Sequence, residues 1–494
     1  MKVDVVVAAR GLLDRVVVLE DDQPQEFTLE SKAEPSLVGN IYKGIVQKVL
    51  PGMDAAFVDI GLEKNAFLFK RDILDEWQEY ADLFSVPAGA TPSTPSRRAG
   101  IEEVLQEGQT ILVRVRRGER STKGARITTV VTLAGRSLVY LPFNEFSGIS
   151  RRIEDQEERR RLREAMESLE SPPSGGFIVR TAAQGLPAEA LRLERETLLR
   201  RWQAVLQRND TLRAPACLEE ELPLYLRVLR DLMGTEIRSV TVDAPEAFEK
   251  IRAFMEDPPH DLIRRVRLYE GSAPLLEDLG LQKELDRSLG SRVWLKSGGT
   301  LVVNPTEALV AIDVNSGKYV GKRGLNETAL KINLQAVKEV VRQIRLRDLG
   351  GIIVIDFIDM GPERLRRELM ENFRAEMRRD RSRSRIEEIS AFGLVQLTRK
   401  RLYGSPERTA LQACPWCGGS GRVKSLALLS QEIFDHIIQA QAGIPGRAVV
   451  VRCHPDVARE LESAAWRQQL QSLGAEWTIQ RTEGDHREHH EIIA

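Results

Sequence analysis

Two apolar segments that each end in an aspartate constrain most strongly what this chain of 494 residues can fold into. Residues 308–314 and 350–358 have the composition of buried strands. Between them an apolar stripe recurs at spacings of three and four residues, as in an amphipathic helix: Leu330, Leu334, Val337, Val341 and Ile344. Strand, helix and strand within about fifty residues predict a βαβ unit with parallel strands and a right-handed crossover. We therefore expect an α/β domain in this half of the chain.

Asp313 and Asp356 hold equivalent places near the ends of these two strands. An ionised carboxylate in an apolar run costs several kcal/mol unless it is paired or bound to a metal. The carboxyl ends of parallel strands face the crevice where open α/β sheets bind ligands, and Mg²⁺ would relieve the repulsion between two carboxylates. Asn315 follows Asp313 on the same strand face, whereas Asp359 suits a helix cap or a supporting role. The pairing favours a magnesium site, although either aspartate alone could equally cap a helix or meet an arginine.

Overall charge excludes a uniformly basic binder of polyanions, but not one with a basic groove. Lys and Arg total 72, Asp and Glu total 73, and the net charge is −1. Six arginines between residues 374 and 385 accompany only two acids. They predict either a wall that contacts phosphates or, as is usual for charge runs, a solvated helix face.

Four short strand-like segments between residues 41 and 116 predict a small barrel of the OB type, which binds single-stranded nucleic acid on one face. Phe57, Phe67 and Phe69 would either show their rings to bases or fill the barrel. A polar insertion at 71–105, rich in Pro and Ser, interrupts the pattern.

Four cysteines are too few for a secreted disulfide scaffold of this size. Cys414 and Cys417 are separated by two residues and followed by glycines, which predicts half of a structural zinc site. Cys217 and Cys453 are isolated in the sequence. A second copy of the chain would complete the four ligands, so the sequence predicts at least a dimer.

The sequence also disfavours a nucleotide phosphate loop, a metal-binding tail and a secreted or membrane-spanning protein. The glycine–lysine loop at 317–323 lacks the spacing and hydroxyl of a nucleotide phosphate loop. We expect the histidine-rich tail at 486–490 to be solvated rather than metal-binding. The amino terminus has no secretory signal and no segment is apolar enough to span a membrane, so we expect a cytoplasmic protein.

Three motifs together give the chain a strong resemblance to the ribonuclease E/ribonuclease G family of bacterial endoribonucleases: Ala-Ile-Asp-Val-Asn-Ser-Gly, Val-Ile-Asp-Phe-Ile-Asp-Met and Cys-Pro-Trp-Cys-Gly-Gly-Ser-Gly. The likeness covers nearly all residues from 1 to about 425 and is closer to the ribonuclease G branch. We expect no long carboxy-terminal degradosome scaffold of the kind that recruits partner enzymes in ribonuclease E.

The resemblance implies an α/β multidomain fold. Its implied parts are a split RNase H-like domain (1–36 and 226–288), an S1-type OB-fold barrel (37–129), a 5′-sensor domain (130–225), a DNase I-like α/β catalytic domain (289–410), a zinc link (411–425) and a small C-terminal dimerisation domain (426–494).

The resemblance also implies roles for residues that match the family pattern. Asp313 and Asp356 correspond to the magnesium ligands, and Asn315 to a residue that helps orient the site. Three residues correspond to RNA contacts of the barrel: Phe57, Phe67 and Lys123.

A pocket for a 5′-monophosphate is implied by five further residues: Arg180, Thr181, Val139, Arg151 and Arg383. Cys414 and Cys417 correspond to the pair that shares Zn²⁺ between subunits, in a homodimer or homotetramer.

The expected function is Mg²⁺-dependent cleavage of single-stranded, A/U-rich RNA, such as rRNA precursors and mRNA. The products would carry a 5′-phosphate and a 3′-hydroxyl, and a 5′-monophosphate end would stimulate the reaction. One alternative is a non-catalytic RNA-binding or ribosome-assembly factor. Another is a metal phosphatase that acts on small molecules, but that function would leave the barrel unexplained.

Overall fold

The computed structural model describes residues 2–74, 84–85, 100–119, 123–145, 147–169, 174–256, 260–317, 325–417, 419, 421–441, 448–472, 476–482 and 486–493. Most of the 71–105 insertion and of the loop at 317–323 lies outside these residues. The chain divides into two compact units, residues 1–410 and 411–494.

The described strands are β1 (Val3–Ala8), β2 (Leu13–Glu20), β3 (Gln23–Ser31), β4 (Ile41–Leu50), β5 (Ala55–Asp59), β6 (Ala66–Phe69), β7 (Phe84–Ser85), β8 (Thr110–Arg117), β9 (Arg126–Thr128), β10 (Leu133–Ala134), β11 (Leu138–Leu141), β12 (Gly148–Ser150), β13 (Gly176–Val179), β14 (Ala216–Glu219), β15 (Ile237–Val242), β16 (Val266–Leu268), β17 (Arg292–Trp294), β18 (Thr300–Pro305), β19 (Val310–Asn315), β20 (Gly351–Asp356), β21 (Ser384–Ile386), β22 (Leu394–Arg399), β23 (Val449–Cys453), β24 (Trp477–Arg481) and β25 (His490–Ile493).

The α-helices are α1 (Arg71–Leu74), α2 (Ile101–Val104), α3 (Gln156–Glu167), α4 (Ala188–Thr211), α5 (Leu224–Leu232), α6 (Pro245–Glu256), α7 (Leu275–Asp278), α8 (Gln282–Ser288), α9 (Leu325–Leu346), α10 (Glu363–Met377), α11 (Pro406–Ala410), α12 (Leu426–Gln441), α13 (Pro455–Leu461) and α14 (Ala464–Ser472). Short 3₁₀ helices span Pro51–Met53, Thr181–Ala183 and Asp261–Arg265. No helix among these residues is both long and apolar enough to cross a lipid bilayer.

The first sheet joins two distant parts of the chain. Its strand order is β16-β15-β1-β2-β3, and β1 pairs in parallel with β15. Strands β1 and β2 form an antiparallel hairpin, and Gly11 adopts φ +81° in its turn. Every residue of Val3–Ala8 is buried, and all of them except Asp4 are apolar.

The second sheet is a closed small barrel. Its strand order is β14-β4-β5-β6-β9-β8, and β4 also pairs with β8 to close it. The four predicted strands between residues 41 and 116 are confirmed. Strands β9 and β14 were not predicted because three or four residues are too few for a clear period-two pattern.

A third sheet has the order β10-β11-β13-β12-β7. Strand β13 ends at Val179, because the chain turns there into the 3₁₀ helix Thr181–Ala183. Arg180 caps that short helix, and its backbone N–H donates to Ser137 O at 2.8 Å.

The fourth sheet, which we call the carboxylate sheet, has the order β17-β18-β19-β20-β22-β21. Strands β19 and β20 are parallel and helix α9 connects them, so the predicted βαβ unit is confirmed. One sheet face packs against α9 and α10, as in the cluster that includes Ile312, Ile353, Val337 and Phe373. Residues that alternate with these, such as Asp313 and Asp356, lie on the opposite, exposed face.

Residues 411–494 form their own core around the sheet β24-β23-β25 and helices α12 and α13. Of the histidine-rich tail at 486–490, only the last residue belongs to a strand. His490–Ile493 pairs antiparallel with β23, because alternate residues of this segment can join the ladder.

A buried ionic cluster connects the first sheet with the carboxylate sheet. Glu20 and Glu26 are buried, and both contact the guanidinium of Arg345, which is also buried, on α9. Arg379 and Arg381 bind the same two carboxylates. Of the two alternatives for this arginine run, the phosphate-contacting wall does not hold for these two residues, because their guanidinium groups already bind buried carboxylates.

We expect Glu26→Gln to lower the free energy of unfolding at neutral pH by about 3 kcal/mol, since it leaves buried guanidinium groups unbalanced. Burial alone would raise the pKa of Glu26, but Arg381 and Arg345 outweigh it and lower the pKa to about 2 from its ordinary 4.5. The carboxylate therefore stabilises the fold above pH 4.5, and this contribution is lost as the pH falls toward 2.

Urea denaturation between pH 2 and 7 measures this difference. The matched control is Glu246→Gln, which removes an exposed ion pair with Lys250 on α6 and should change nothing measurable. Equal unfolding curves for Glu26→Gln and the parent at pH 7 would contradict the prediction.

Candidate active site and RNA-binding surfaces

Asp313 and Asp356 lie directly opposite each other on adjacent parallel strands. The register pairs Asp313 with Asp356, and both side chains are exposed on the open face. Asn315 is two residues further along β19, and its Nδ2 donates to Asp313 Oδ2 at 2.7 Å. The structure thus brings together all three residues of the expected catalytic group, and the amide fixes the orientation of one carboxylate.

Electrostatic repulsion marks this pair. Partial burial raises the pKa of Asp356, and the negative charges of Asp313 and Asp359 raise it further. Among the residues that the structure describes, no three His, Cys, Asp or Glu side chains converge well enough to hold a metal ion.

Two carboxylates nevertheless fit the chemistry of Mg²⁺. This ion needs only one or two protein carboxylates when waters and phosphate oxygens complete its octahedron. A cation between Asp313 and Asp356 would remove the repulsion that raises the pKa of Asp356. The donor set therefore fits a hard divalent cation.

A buried asparagine that sequence reasoning missed supports this site from α9. Asn333 is fully buried, its Nδ2 donates to Ile358 O at 2.8 Å, and its Oδ1 accepts from Ile358 N at 3.1 Å. These two bonds hold the segment that follows Asp356. The sequence does contain a signal for this role, because Asn333 is a polar residue inside the apolar stripe of the predicted helix.

The barrel carries an aromatic row on its outside. Phe57 and Phe67 are cross-strand partners with ring centroids 5.4 Å apart, and Phe69 lies 4.5 Å from Phe67. All three rings are half-exposed, while residues such as Val58 and Leu68 fill the barrel. The alternative that these phenylalanines form the core is therefore wrong.

Basic residues extend this row at both ends, and the sequence analysis missed them. Exposed Lys48 pairs with Phe57, and Arg126 pairs with Phe67. The Arg126 guanidinium also lies 4.9 Å from the Phe69 ring centroid and binds Asp72 through Nε at 2.6 Å. Arg126 thus has a structural role, whereas the exposed ammonium of Lys48 suits a nucleic-acid backbone.

Lys123 is exposed beside the strand of Phe67. The next residue, Gly124, passes so close to β6 that a Cβ atom would lie 2.0 Å from Asn65 O. Only glycine permits this approach, which keeps Lys123 near the aromatic row.

Four of the five residues expected at a 5′-phosphate pocket lie on or directly after neighbouring strands of the third sheet. Arg151 and Arg180 follow the ends of β12 and β13, two parallel neighbours, and Thr181 comes next in the chain. Val139 lies on β11 opposite Ile178, two residues before Arg180. Arg383 belongs to a second segment, which Arg152 reaches by donating from Nη2 to Arg381 O at 2.7 Å.

Arg180 is already engaged by acceptors of this chain. Its Nη1 donates to Gly135 O at 2.8 Å, and its Nη2 binds Asp231 Oδ1 at 2.7 Å. Tyr403 donates its hydroxyl to Asp231 Oδ2 at 3.0 Å. Burial would raise the pKa of Asp231, but Arg230 and Arg180 outweigh it and hold the pKa below its ordinary value. This carboxylate therefore stays ionised and orients Arg180.

Cys414 and Cys417 are both accessible to some degree within residues 411–494. The backbone N–H of Gly421 donates to Cys417 Sγ at 3.3 Å, a contact that stabilises a thiolate. Cys453 is buried in the core of this unit, and burial raises its pKa to about 11, so it does not suit a metal ligand. The accessible pair fits half of a tetrahedral zinc site.

Comparison with known proteins relates this chain to one family of ribonucleases and to one RNA-binding domain. Residues 132–402 match the Ribonuclease E/G family, and residues 37–129 match the S1 RNA binding domain. Ribonuclease G of Haemophilus influenzae is 38% identical over 447 residues, which cover 90% of this chain and 89% of that protein. Ribonuclease G of Escherichia coli K12 is 37% identical over 448 residues, covering 91% and 90%. Ribonuclease E of H. influenzae is 39% identical over 420 residues, covering 85% of this chain but 44% of that protein.

We expect Asp356→Asn to stabilise the metal-free protein by about 0.5 kcal/mol, because it removes repulsion between exposed charges that solvent already screens. The pKa of Asp356 is raised in the folded protein, so the substitution should increase stability only where this carboxyl is ionised. The repulsion exists above that pKa and disappears once the carboxyl is protonated. Thermal unfolding in EDTA should show the gain near pH 8 and none at pH 3. Asp210→Asn, at an exposed position of α4, serves as the control. A loss of stability at pH 8 would contradict the repulsion.

Proposed function

This chain belongs to the ribonuclease E/G family, an endoribonuclease family of RNA processing, and we propose that it cleaves single-stranded, A/U-rich RNA with Mg²⁺ held at Asp313 and Asp356. The observation that carries the proposal is the in-register pair of exposed carboxylates on β19 and β20. Two like charges lie side by side there, and neither forms a salt bridge within the part of the chain that the structure describes. Such a pair is costly for the fold and useful for a cation that meets phosphate.

The residues of the site have separate tasks. Asp313 and Asp356 would supply carboxylate oxygens to the metal, and Asn315 holds Asp313 in one orientation through its 2.7 Å hydrogen bond. Asn333 fixes the backbone after Asp356. When bound, Mg²⁺ supplies charge stabilisation and a more acidic water, which suits products with a 5′-phosphate and a 3′-hydroxyl. Residues 289–410 contain no histidine, which disfavours a histidine acid–base pair from this segment.

The outer face of the barrel would bind the RNA strand. Stacking on Phe57 and Phe67 tolerates any base, and Lys48 and Lys123 would meet the phosphates. We further propose that Arg180, Thr181, Val139, Arg151 and Arg383 recognise a 5′-monophosphate. Arg180 suits this role because Asp231 holds its guanidinium in one orientation.

The remaining parts of the expected architecture are proposals of the same kind. They are the split RNase H-like domain, the DNase I-like catalytic domain, and a homodimer or homotetramer in which Cys414 and Cys417 share Zn²⁺ with a second copy. rRNA precursors and mRNA are the proposed substrates. A cytoplasmic location stays a prediction.

We expect the purified protein to cut a labelled single-stranded RNA internally with Mg²⁺ and not with EDTA. Asp313→Asn should lower the cleavage rate by at least ~100-fold, because the amide cannot supply an anionic ligand. Gel analysis of the products measures the rate, and their end chemistry tests for a 5′-phosphate. Asp210→Asn is the matched control and should cut like the parent.

Undiminished cutting by a folded Asp313→Asn protein would refute the assigned site. RNA binding without cleavage by the parent, under any divalent metal, would instead favour the non-catalytic RNA-binding factor. The same assay with 5′-monophosphate and 5′-triphosphate substrates tests the sensor, and equal rates would contradict it.

We expect about half a zinc atom per chain, because each chain offers two of four sulfur ligands. Cys414→Ser should abolish zinc binding and shift the assembly toward monomer, as read by metal analysis and light scattering. Cys217→Ser removes an exposed thiol outside residues 411–494 and should change neither quantity. One zinc per chain with an unchanged monomer mass would contradict the shared site.

A further inference from the structure

The open face of the carboxylate sheet extends well beyond the two aspartates. One row of paired residues crosses five neighbouring strands: Arg292, Val302, Asp313, Asp356 and Leu394. None of these side chains is buried. Because paired residues on neighbouring strands project to the same face, Arg292 at the sheet edge shares the face of the carboxylates.

Trp294 lies in the adjacent row of this face. It pairs with Thr300, which pairs with Asn315 on β19. The side chain of Trp294 is 71% exposed, although tryptophan normally buries its large apolar surface. Its neighbours Val293 and Leu295 project to the opposite side and contact the core. Trp294 therefore leaves most of its surface outside the packing of this domain.

The local backbone holds Trp294 in place. Strand β17 ends in a tight turn in which Leu295 N donates to Gly299 O at 2.8 Å and Gly298 N donates to Leu295 O at 2.9 Å. The tryptophan is thus presented from a regular hairpin and not from an irregular loop. A solvated ring on an ordered strand is suited to stacking on a flat ligand.

Strand geometry gives the separation between this ring and the carboxylates. Adjacent strands are about 4.8 Å apart, so β17 lies about 10 Å from β19. The rows of Trp294 and Asp313 differ by two residues, or about 7 Å along the strands. A base over Trp294 would then belong to a nucleotide roughly one or two positions from a phosphate held at Asp313 and Asp356.

We propose that Trp294 is a stacking subsite for one nucleobase of the strand being cut, with Arg292 beside it for the neighbouring phosphate. The proposal deepens the RNA-cleaving function and rests on it. A base can reach the ring only after it leaves its neighbours in the strand, so this subsite would favour unpaired RNA close to the cut. Because every base has an aromatic face, the subsite tolerates sequence.

Short RNAs with one abasic nucleotide at successive positions test the subsite. The oligonucleotides carry a 5′-hydroxyl, so that the proposed 5′-phosphate pocket does not contribute. Affinity is measured by fluorescence anisotropy in the Asp313→Asn background, and cleavage is measured in the parent background. Binding is then read independently of catalysis.

We expect Trp294→Ala to weaken binding and cleavage by about 5- to 100-fold, the range that loss of base stacking on an aromatic side chain produces. When Trp294 is intact, an abasic nucleotide at one or two positions next to the cut should weaken binding and slow cleavage. This position-dependent loss of binding and cleavage should be absent in Trp294→Ala. It should persist in Trp294→Phe, which keeps an aromatic face. Phe143→Ala is the matched control, because Phe143 is 61% exposed in the turn after β11 and packs edge-on against Trp202.

Three results would overturn the proposal. Unchanged binding and cleavage in Trp294→Ala would show that no base uses the ring. An equal loss at every abasic position would show a general structural effect. A change in oligomeric mass on light scattering would show that a second copy of the chain covers Trp294. Failure of the proposed function gives a result distinct from these three. In that case the parent would bind RNA through Trp294 but would never cut it.

Discussion

The buried ionic cluster of Glu20, Glu26, Arg345 and Arg381 determines how the first sheet and the carboxylate sheet are held together. Removing one partner leaves a charge stranded in a medium where it is poorly solvated, so the cluster tolerates few alternative arrangements. Arg345 belongs to α9, the helix that also carries Asn333. The same helix thus anchors the amino-terminal sheet at one end and the segment after Asp356 nearer the other.

The carboxylate sheet has one apolar, packed face and one solvated face. Apolar residues such as Ile312 and Ile353 pack under α9 and α10. The opposite face displays the exposed side chains of Asp313, Asp356 and Trp294. A two-layer sheet of this kind gives an extended ligand access to both charge and aromatic surface, whereas a sheet covered on both faces would offer only its edge.

Predictions from the sequence succeeded where one local pattern determines the outcome. The βαβ unit follows from an apolar run, a helical stripe and a second run, and its parallel strands place Asp313 beside Asp356. Predictions were wrong where the partner is distant in sequence. Arg379 and Arg381 looked like part of a phosphate-contacting wall, yet they bind carboxylates on strands more than 300 residues earlier in the chain.

The amino-acid sequence by itself determined the family, the strand–helix–strand unit, the carboxylate pair and the isolated cysteine pair, because each depends on residue types at short, fixed spacings. Only the tertiary structure decided which face each side chain occupies. It placed Phe57 and Phe67 outside the barrel, Asn333 inside the domain and Trp294 in solvent. The physical reason is that burial depends on which other segment covers a surface, and that segment can come from anywhere in the chain.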